Sequence, residues 1–287
     1  MTSELLNEEV HPRARLYGLC GFIGSGKNAV GDVISKRRDT QSLSFAEPLK
    51  DAVAAIFGWD RLLLEGKTTE SRDWREQVDP FWSKVFRRDV TPRGILQEFG
   101  TDVCREWQDN VWIHAIERRI DPKITTLFTD LRFGNEMMFL RRLGGSVVWV
   151  YRPELNTKTS RLDQVVATAV TDRAPLHTGL FEHPLDQRHV SEIAFLCEGA
   201  NFINVVLVND GSPRRLTRLA QHLDLKLSHP DPAFQGIPWN KTTLYLSTNS
   251  TGDFVWEWRG GNVLRPDNRL HTVHYNEVHE YLLTDVA

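Results

Sequence analysis

The stretch Leu16-Tyr17-Gly18-Leu19-Cys20-Gly21-Phe22-Ile23-Gly24-Ser25-Gly26-Lys27-Asn28-Ala29-Val30 decides the fold. Leu16–Cys20 is a short apolar run, and from Asn28 to Ile34 apolar residues recur at Ala29, Val30, Val33 and Ile34. The pattern predicts a buried strand, a glycine-rich turn and a helix. Gly21 to Lys27 fits the spacing G-x-x-x-x-G-K, in the context where that spacing has a physical meaning. Gly21, Gly24 and Gly26 let successive backbone N–H groups turn toward an anion, with Ser25 among them. The helix N-terminus adds positive potential, and Lys27 reaches outer phosphates. The alternative, a chance glycine-rich turn, is disfavoured by the strand before it and the helix after it. A hydroxyl following the lysine normally ligates Mg²⁺. Here Asn28 and Ala29 follow, so metal contact falls to the Asn28 amide oxygen, directly or through water.

Working outward, Ser42–Phe45 reads as a second strand, and Glu47-Pro48 opens a helix with Leu49, Val53, Ile56 and Phe57 on one face. Gly58 to Val90 is polar with aromatic anchors and reads as an arm outside the sheet. Thr91 caps a helix whose expected buried stripe is Ile95, Leu96, Phe99 and Val103. Trp112–Ile120 reads as helical. Ile124–Thr129 is a strand closing on Asp130, followed by a helix through Met137–Leu143 and a strand at Ser146–Val150. Ile203–Val208 is a further strand, and Ser212-Pro213 starts a basic helix to about Leu223. Alternating strands and helices predict an α/β fold with a mostly parallel sheet. Thr242–Ser247 and Phe254–Trp258 read as a hairpin around Asn249–Asp253, with a short helix near Val278–Leu283. This small β-rich extension, 229–287, is expected to pack on the main domain, 16–228, after a loosely ordered leader, 1–15.

The chain has 287 residues, 35 Lys and Arg against 38 Asp and Glu, and 25% charged residues, which excludes wholesale disorder. No apolar run is long enough for a membrane span, and the first residues carry no secretory pattern. Cys20, Cys104 and Cys197 are odd in number and far apart, as in reduced intracellular thiols. These features predict a soluble cytoplasmic protein without membrane contact. A net charge of −3 also argues against a dedicated nucleic-acid binder.

Two further segments carry chemistry. In Asp130-Leu131-Arg132-Phe133-Gly134-Asn135-Glu136, an acid ends a strand on the edge where α/β sheets bind ligands. Asp130 is positioned to hold a Mg²⁺-bound water or an acceptor oxygen, and Arg132 offers its guanidinium fork to phosphate. A structural Asp130–Arg132 ion pair is the competing reading, and for Glu136 the competing reading is complementing the helix dipole. In Pro92-Arg93-Gly94-Ile95-Leu96-Gln97-Glu98-Phe99-Gly100-Thr101, Arg93 and Gln97 share a helix face. An arginine in a first helical turn is awkward unless an anion neutralises it, and the competing reading of equal weight is a solvated polar face. Lys50, Lys67, Arg72 and Arg75 are weaker pocket candidates, each favoured singly as surface charge. Arg152, Arg161, Arg173 and Arg188 lie in a polar stretch, 152–199, suited to a lid, although each taken singly is favoured as a solvated surface residue. His183 and His189 lack metal-ligand spacing.

These segments, in this order, resemble the deoxynucleoside monophosphate kinases of bacteriophages. The resemblance rests on Gly18–Lys27, Ser44–Lys50, Pro92–Thr101, Asp130–Glu136 with Gly144-Gly145, and Val206–Ser212, spanning about residues 16 to 222. The glycine-rich loop is generic, whereas the pairing of P-R-x-x-L-Q-x-F-G-T with D-x-R-F-x-N-E is much more specific. The resemblance implies a P-loop kinase fold with an acceptor arm at 58–120, and phosphoryl transfer from ATP, with Mg²⁺, to a dNMP substrate in the host cytoplasm. It implies that Ser25, Gly26 and Lys27 cradle ATP phosphates. Arg93, Gln97, Gly100 and Thr101, with Lys50 and Trp112, would line the acceptor site, and Asp130, Arg132 and Glu136 would complete it. It also suggests a homodimer. Rival readings are a P-loop kinase with another small acceptor, similar to dephospho-coenzyme A kinase, and a nucleotide-binding module using the Arg/Trp interleaving of Trp74–Arg93 on nucleic acid. Of nine tryptophans, Trp59, Trp74, Trp82, Trp107 and Trp112 fall in the arm, and Trp256 and Trp258 share one strand face in the extension.

Overall fold

The computed structural model describes residues 15–36, 40–153, 160–181, 188–228, 243–259 and 269–275. β1 (Leu16–Cys20), β2 (Thr40–Leu43), β3 (Thr125–Phe128), β4 (Ser146–Tyr151), β5 (Val205–Val208), β6 (Leu244–Thr248), β7 (Phe254–Arg259) and β8 (Leu270–Tyr275) form one sheet. Its order is β2-β3-β1-β4-β5-β6-β7-β8. Pairings from β2 through β6 are parallel, and β7 and β8 are antiparallel. The fold is therefore α/β with a largely parallel central sheet and a small antiparallel β extension, as the patterning predicts.

Both sheet faces are covered, which is why the central strands read as continuous apolar runs. On one face, α1 (Lys27–Ser35) and α12 (Pro213–Ser228) bury Val30, Ile34, Leu216, Leu219 and Leu223 against Leu19, Val148, Val150 and Leu207. On the other, α2 (Glu47–Phe57), α9 (Gly134–Arg142), α10 (Arg161–Thr171) and α11 (Val190–Cys197) pack on Val147, Trp149, Tyr151 and Val206. The alternation of Val147 and Trp149 with Val148 and Val150 sends each set to its own layer.

The 58–120 segment is helical. Short helices α3 (Arg61–Glu65), α4 (Thr69–Glu76) and α5 (Pro80–Phe86) each start on a side-chain cap, from Asp60, Thr68 and Asp79. They gather around an aromatic cluster in which Phe57 lies 4.6 Å from Trp59 and 4.7 Å from Trp82, ring centre to ring centre. Next come α6 (Pro92–Gln97), a π-helical turn (Glu98–Val103), α7 (Cys104–Trp107) and α8 (Val111–Glu117). Thr91 caps α6 through Gly94 N–H at 3.1 Å.

Three expectations need correction. The second strand ends at Leu43 rather than Phe45, because Ser44 and Phe45 turn their polar groups to Asp130. Val103 is exposed rather than part of a buried stripe. The π turn inserts an extra residue into the helical period, rotating Val103 outward and Arg105 into the interior. The C-terminal hairpin does not merely pack on the domain. β6 pairs in parallel with β5, so the hairpin continues the main sheet, and β8 adds a strand that no periodicity had suggested. The helix expected near Val278–Leu283 and the leader up to residue 14 lie outside the described residues.

Trp256 and Trp258 do share a buried face, the one covered by α12, and Trp256 Nε1 donates to His222 Nε2 at 2.9 Å. Replacing Trp256 with alanine removes a fully buried indole from the extension. A loss of about 3–5 kcal/mol is expected in urea unfolding, in one transition shared with the rest of the sheet. A separate early transition confined to the extension would contradict the continuous sheet.

Candidate functional site

Because β1, β3, β4 and β5 are parallel, the segments leaving their C-terminal ends meet along one edge. After β1 comes the loop Gly21–Lys27. Gly21, Gly24 and Gly26 adopt φ of 138°, 81° and 102°, the left-handed side that glycine tolerates. A Cβ on Gly21 would stand 2.5 Å from the Val150 carbonyl oxygen, and one on Gly26 2.8 Å from Leu216 Cδ2. Asn209, just past β5, donates its amide to Ser25 O at 2.9 Å. Ser25 is buried, and its Oγ has no hydrogen-bond partner among the described residues. Lys27 folds over the loop and donates to Gly21 O and Phe22 O, both at 2.7 Å. An unsatisfied buried hydroxyl, a glycine-built turn and a lysine above it fit a phosphate chain. Asn28 and Ala29 are exposed on the first turn of α1. Among the described residues no group of three His, Cys, Asp or Glu side chains converges as a metal cluster.

After β3 the chain is held by two carboxylates. Asp130 Oδ2 accepts from Ser44 Oγ at 2.5 Å and Ala46 N–H at 3.1 Å, and Oδ1 accepts from Phe45 N–H at 2.9 Å. It thereby ties the start of α2 to the end of β3. Glu136, buried in the first turn of α9, accepts from Arg132 N–H at 2.8 Å and Phe133 N–H at 3.2 Å. Its other oxygen takes a hydrogen bond from Arg105 Nη2. Arg105 is itself buried, with its guanidinium carbon 3.8 Å from the centre of the Phe133 ring, and it donates to Asp109 O at 3.0 Å. Glu136 thus does more than complement a helix dipole: it shapes the backbone that carries Arg132. Among the described residues Asp130 and Arg132 form no ion pair.

These segments enclose one cavity. It is lined by Phe45, Leu49 and Lys50 from the start of α2, by Arg93, Gln97, Gly100, Thr101 and Arg105 from the α6–α7 run, by Trp112, by Asp130, Arg132 and Glu136, and by Arg75 and Ser191. Every expected acceptor-site residue is therefore brought to the same place. Gly100 is there for close approach, since a Cβ would stand 2.6 Å from Leu49 Cδ2, and its carbonyl accepts from Trp112 Nε1 at 2.9 Å. Arg75, a weaker pocket candidate favoured by the sequence as surface charge, lines the cavity, whereas Arg105 is a lining residue that the sequence reading does not include. For Arg105 the signal was available, because Arg93, Gln97, Thr101 and Arg105 fall at successive intervals of four. Lys67 and Arg72 stay on the exposed surface of the arm.

The cavity is rich in cations, and only some are neutralised. Arg93 is paired with Glu76 and lies 3.8 Å from Glu192, so carboxylates meet its charge within the fold. Lys50 pairs with Glu65 at 2.9 Å. Arg75 and Arg132 make no ion pair or side-chain hydrogen bond among the described residues, and Arg75 Nε is buried. Burial and the nearby Arg93 push Arg75 below its usual range, with Arg132 and Arg72 adding to the effect. Burial and the nearby Arg132 likewise depress Lys27, to about 8. Burial pushes the Glu136 carboxyl up to about 7, against the pull of Arg105.

Among the arginines of 152–199, Arg188 lies over the Phe22 ring of the loop, 4.7 Å from its centre, and pairs with Asp163 at 3.1 Å. Arg173 instead bonds Glu257 on β7 at 2.8 Å, which commits it to the extension. His189 accepts from Ser191 N–H at 3.2 Å as a cap of α11. Trp59 and Trp74 lie edge to face at 6.1 Å within the aromatic cluster that also holds Trp82. Rings packed on one another make a poor stacking platform for nucleic acid.

No family model matches the chain. A viral relative does. The chain is 28% identical over 165 residues to the "Putative deoxynucleotide monophosphate kinase" of Acanthamoeba polyphaga mimivirus, covering 52% of this chain and 80% of the relative. The likeness supports a deoxynucleotide-kinase-like relationship and phosphotransferase-like activity in general terms. No helix among the described residues is long and apolar enough to cross a membrane.

The depressed Lys27 has a stability signature. Below about pH 8 it is charged in both folded and unfolded chains, and its burial costs its full amount. Between about pH 8 and its ordinary value of 10.5 the unfolded chain binds a proton that the folded chain lacks, so stability rises with pH. Relative to Lys27→Met, the free protein is expected to gain about 2–3 kcal/mol across that range in chemical denaturation. A flat difference would mean that Lys27 is not desolvated. Separately, Arg105→Met strands Glu136 and is expected to cost about 3–5 kcal/mol at pH 8. A loss below 1 kcal/mol would show that the pair is not buried as described.

Proposed function

We propose that this chain transfers the γ-phosphoryl group of ATP to a deoxynucleoside monophosphate, supplying DNA precursors during phage replication. The observation that carries the reading is the placement of two anion sites on one sheet edge: the glycine loop with Lys27 after β1, and the arginine-lined cavity over Asp130–Glu136 after β3. A monophosphate in that cavity would turn its α-phosphate toward Arg132 and Arg75. Its nucleoside would lie among Phe45, Leu49, Gln97, Thr101 and Trp112, an apolar surround with few polar groups, as suits a base.

In the transfer, an oxygen of the acceptor's α-phosphate forms a bond to the γ-phosphorus as the bond to the β-phosphate oxygen breaks, and ADP leaves. Catalysis of this kind is mainly positioning and charge neutralisation. Gly21, Gly24, Ser25 and Gly26 hold the donor phosphates, while Lys27 leaves its loop carbonyls to follow the γ-phosphate. Arg132 neutralises charge between the two nucleotides. Asp130 braces α2 and Glu136 fixes the Arg132 backbone, so both act as positioning residues. Mg²⁺, when bound, neutralises phosphate charge. It would be held largely by phosphate and water oxygens, with Asn28 and Asp130 contributing through water. Arg188, stacked on Phe22, is placed to help exclude water over the loop.

A coupled assay of ADP release across dNMPs, NMPs and dephospho-coenzyme A tests the reading. Stimulation by one or more dNMPs is expected, and stimulation only by another acceptor would refute it. Lys27→Ala and Arg132→Ala are each expected to lower kcat about 10²–10³-fold while retaining the fold by circular dichroism. Near wild-type turnover in either variant would refute the site assignment.

A further inference from the structure

On the far side of the glycine loop from the acceptor cavity lies a second one, of about 480 Å³, bounded by Arg214, Arg215, Arg218, Thr248, Ser250 and Thr251. Half of its wall comes from the extension. β6 is parallel to β5, so the β6–β7 turn, Asn249–Asp253, projects from the same sheet edge as the glycine loop. The other half comes from the first turns of α12, which border the loop directly. Asn209 is bonded to Ser25 O, and Leu216 closes on Gly26.

We propose that this cavity receives the nucleoside of the phosphoryl donor, and that the C-terminal hairpin is therefore part of the donor site. The inference rests on the two-nucleotide reading above and follows from its geometry. In-line transfer places the entering and leaving oxygens on opposite sides of the transferred phosphorus. The acceptor cavity lies on the β2–β3 side of the loop, so the leaving nucleotide extends toward β5 and β6. The second cavity lies there. Its chemistry suits a base and ribose: the planar guanidinium of Arg214 can stack on an aromatic ring, and the hydroxyl of Ser250 can bond a ring edge or a sugar hydroxyl.

The wall is built before any ligand arrives. Arg215 bonds Thr248 Oγ1 and donates to Thr248 O at 2.7 Å and Asn249 O at 3.1 Å, which clamps the turn to α12. Within the turn, Thr251 Oγ1 donates to Asp253 Oδ2 at 2.7 Å, and Asp253 N–H donates to Asn249 Oδ1 at 2.9 Å. Arg214 is exposed at the rim and makes no ion pair or hydrogen bond among the described residues. Ser250 is exposed beside it. Both positions can therefore be changed without breaking a contact of the fold.

The test is calorimetry on the full chain with ATP and, separately, inorganic tripolyphosphate, in the absence of acceptor. Ser250→Trp, which fills the cavity, is expected to weaken ATP at least about tenfold while leaving tripolyphosphate within about twofold. Arg214→Ala is expected to weaken ATP about fivefold with the same selectivity. Unchanged ATP affinity in Ser250→Trp would overturn the proposal. Equal weakening of ATP and tripolyphosphate would overturn it too, since the loop rather than the nucleoside site would then be affected. Because these are binding readouts, they separate this inference from the kinase reading: a chain that phosphorylates no dNMP but shows the selective loss refutes only the latter.

Discussion

The Asp130 carboxylate accepts hydrogen bonds from Ser44, Phe45 and Ala46, and much of the site depends on that one attachment. It ends β2, starts α2 and brings Phe45, Leu49 and Lys50 over the end of β3. Glu136 does the complementary work one turn later, holding Arg132 and Phe133 by their N–H groups while Arg105 holds Glu136. Backbone donors leaving a buried sheet edge must find acceptors, and a carboxylate with several lone pairs can serve more than one. Here that requirement builds a cavity wall.

The same cavity concentrates positive charge in a way that disfavours the free protein. Lys27 is desolvated beside Arg132, and Arg75 is half-buried among Arg72, Arg93 and Arg132. Perturbed cations gathered in a cleft are characteristic of sites that await an anionic ligand. Arg93 and Lys50 differ, because Glu76 and Glu65 already meet their charges. A phosphate approaching either must compete with a carboxylate, whereas at Arg132 it meets no competitor among the described residues. This difference is why the proposed mechanism assigns the transfer step to Arg132.

Much of this was legible in the sequence, and the rest was hidden for identifiable reasons. The glycine loop was readable because its letters carry backbone conformation: Gly21, Gly24 and Gly26 all take the φ that only glycine adopts easily. The central strands were readable because burial on both faces leaves continuous apolar runs. The spacing of four from Arg93 through Gln97 and Thr101 to Arg105 is visible in the sequence, but the π turn at Glu98–Val103, which breaks the 3.6-residue period and turns Val103 outward and Arg105 inward, is not. The partners of Asp130 and Arg93 lie about 85 and 17 residues away, beyond any local pattern. The extension was readable as a hairpin with Trp256 and Trp258 on one face. Its parallel pairing to β5 is a long-range contact that local patterning does not encode.

In the proposed reaction the glycine loop and the arginine-lined cavity serve one pair of nucleotides joined through their phosphates. A bisubstrate compound, adenosine linked to a deoxynucleoside through five phosphates, tests this most directly. Calorimetry should show a single site of one-to-one stoichiometry, with affinity at least about a hundredfold above that of ATP alone, as linkage of two sites predicts. That gain should disappear in Arg132→Ala. Binding no tighter than ATP, or tight binding that survives loss of Arg132, would contradict the account.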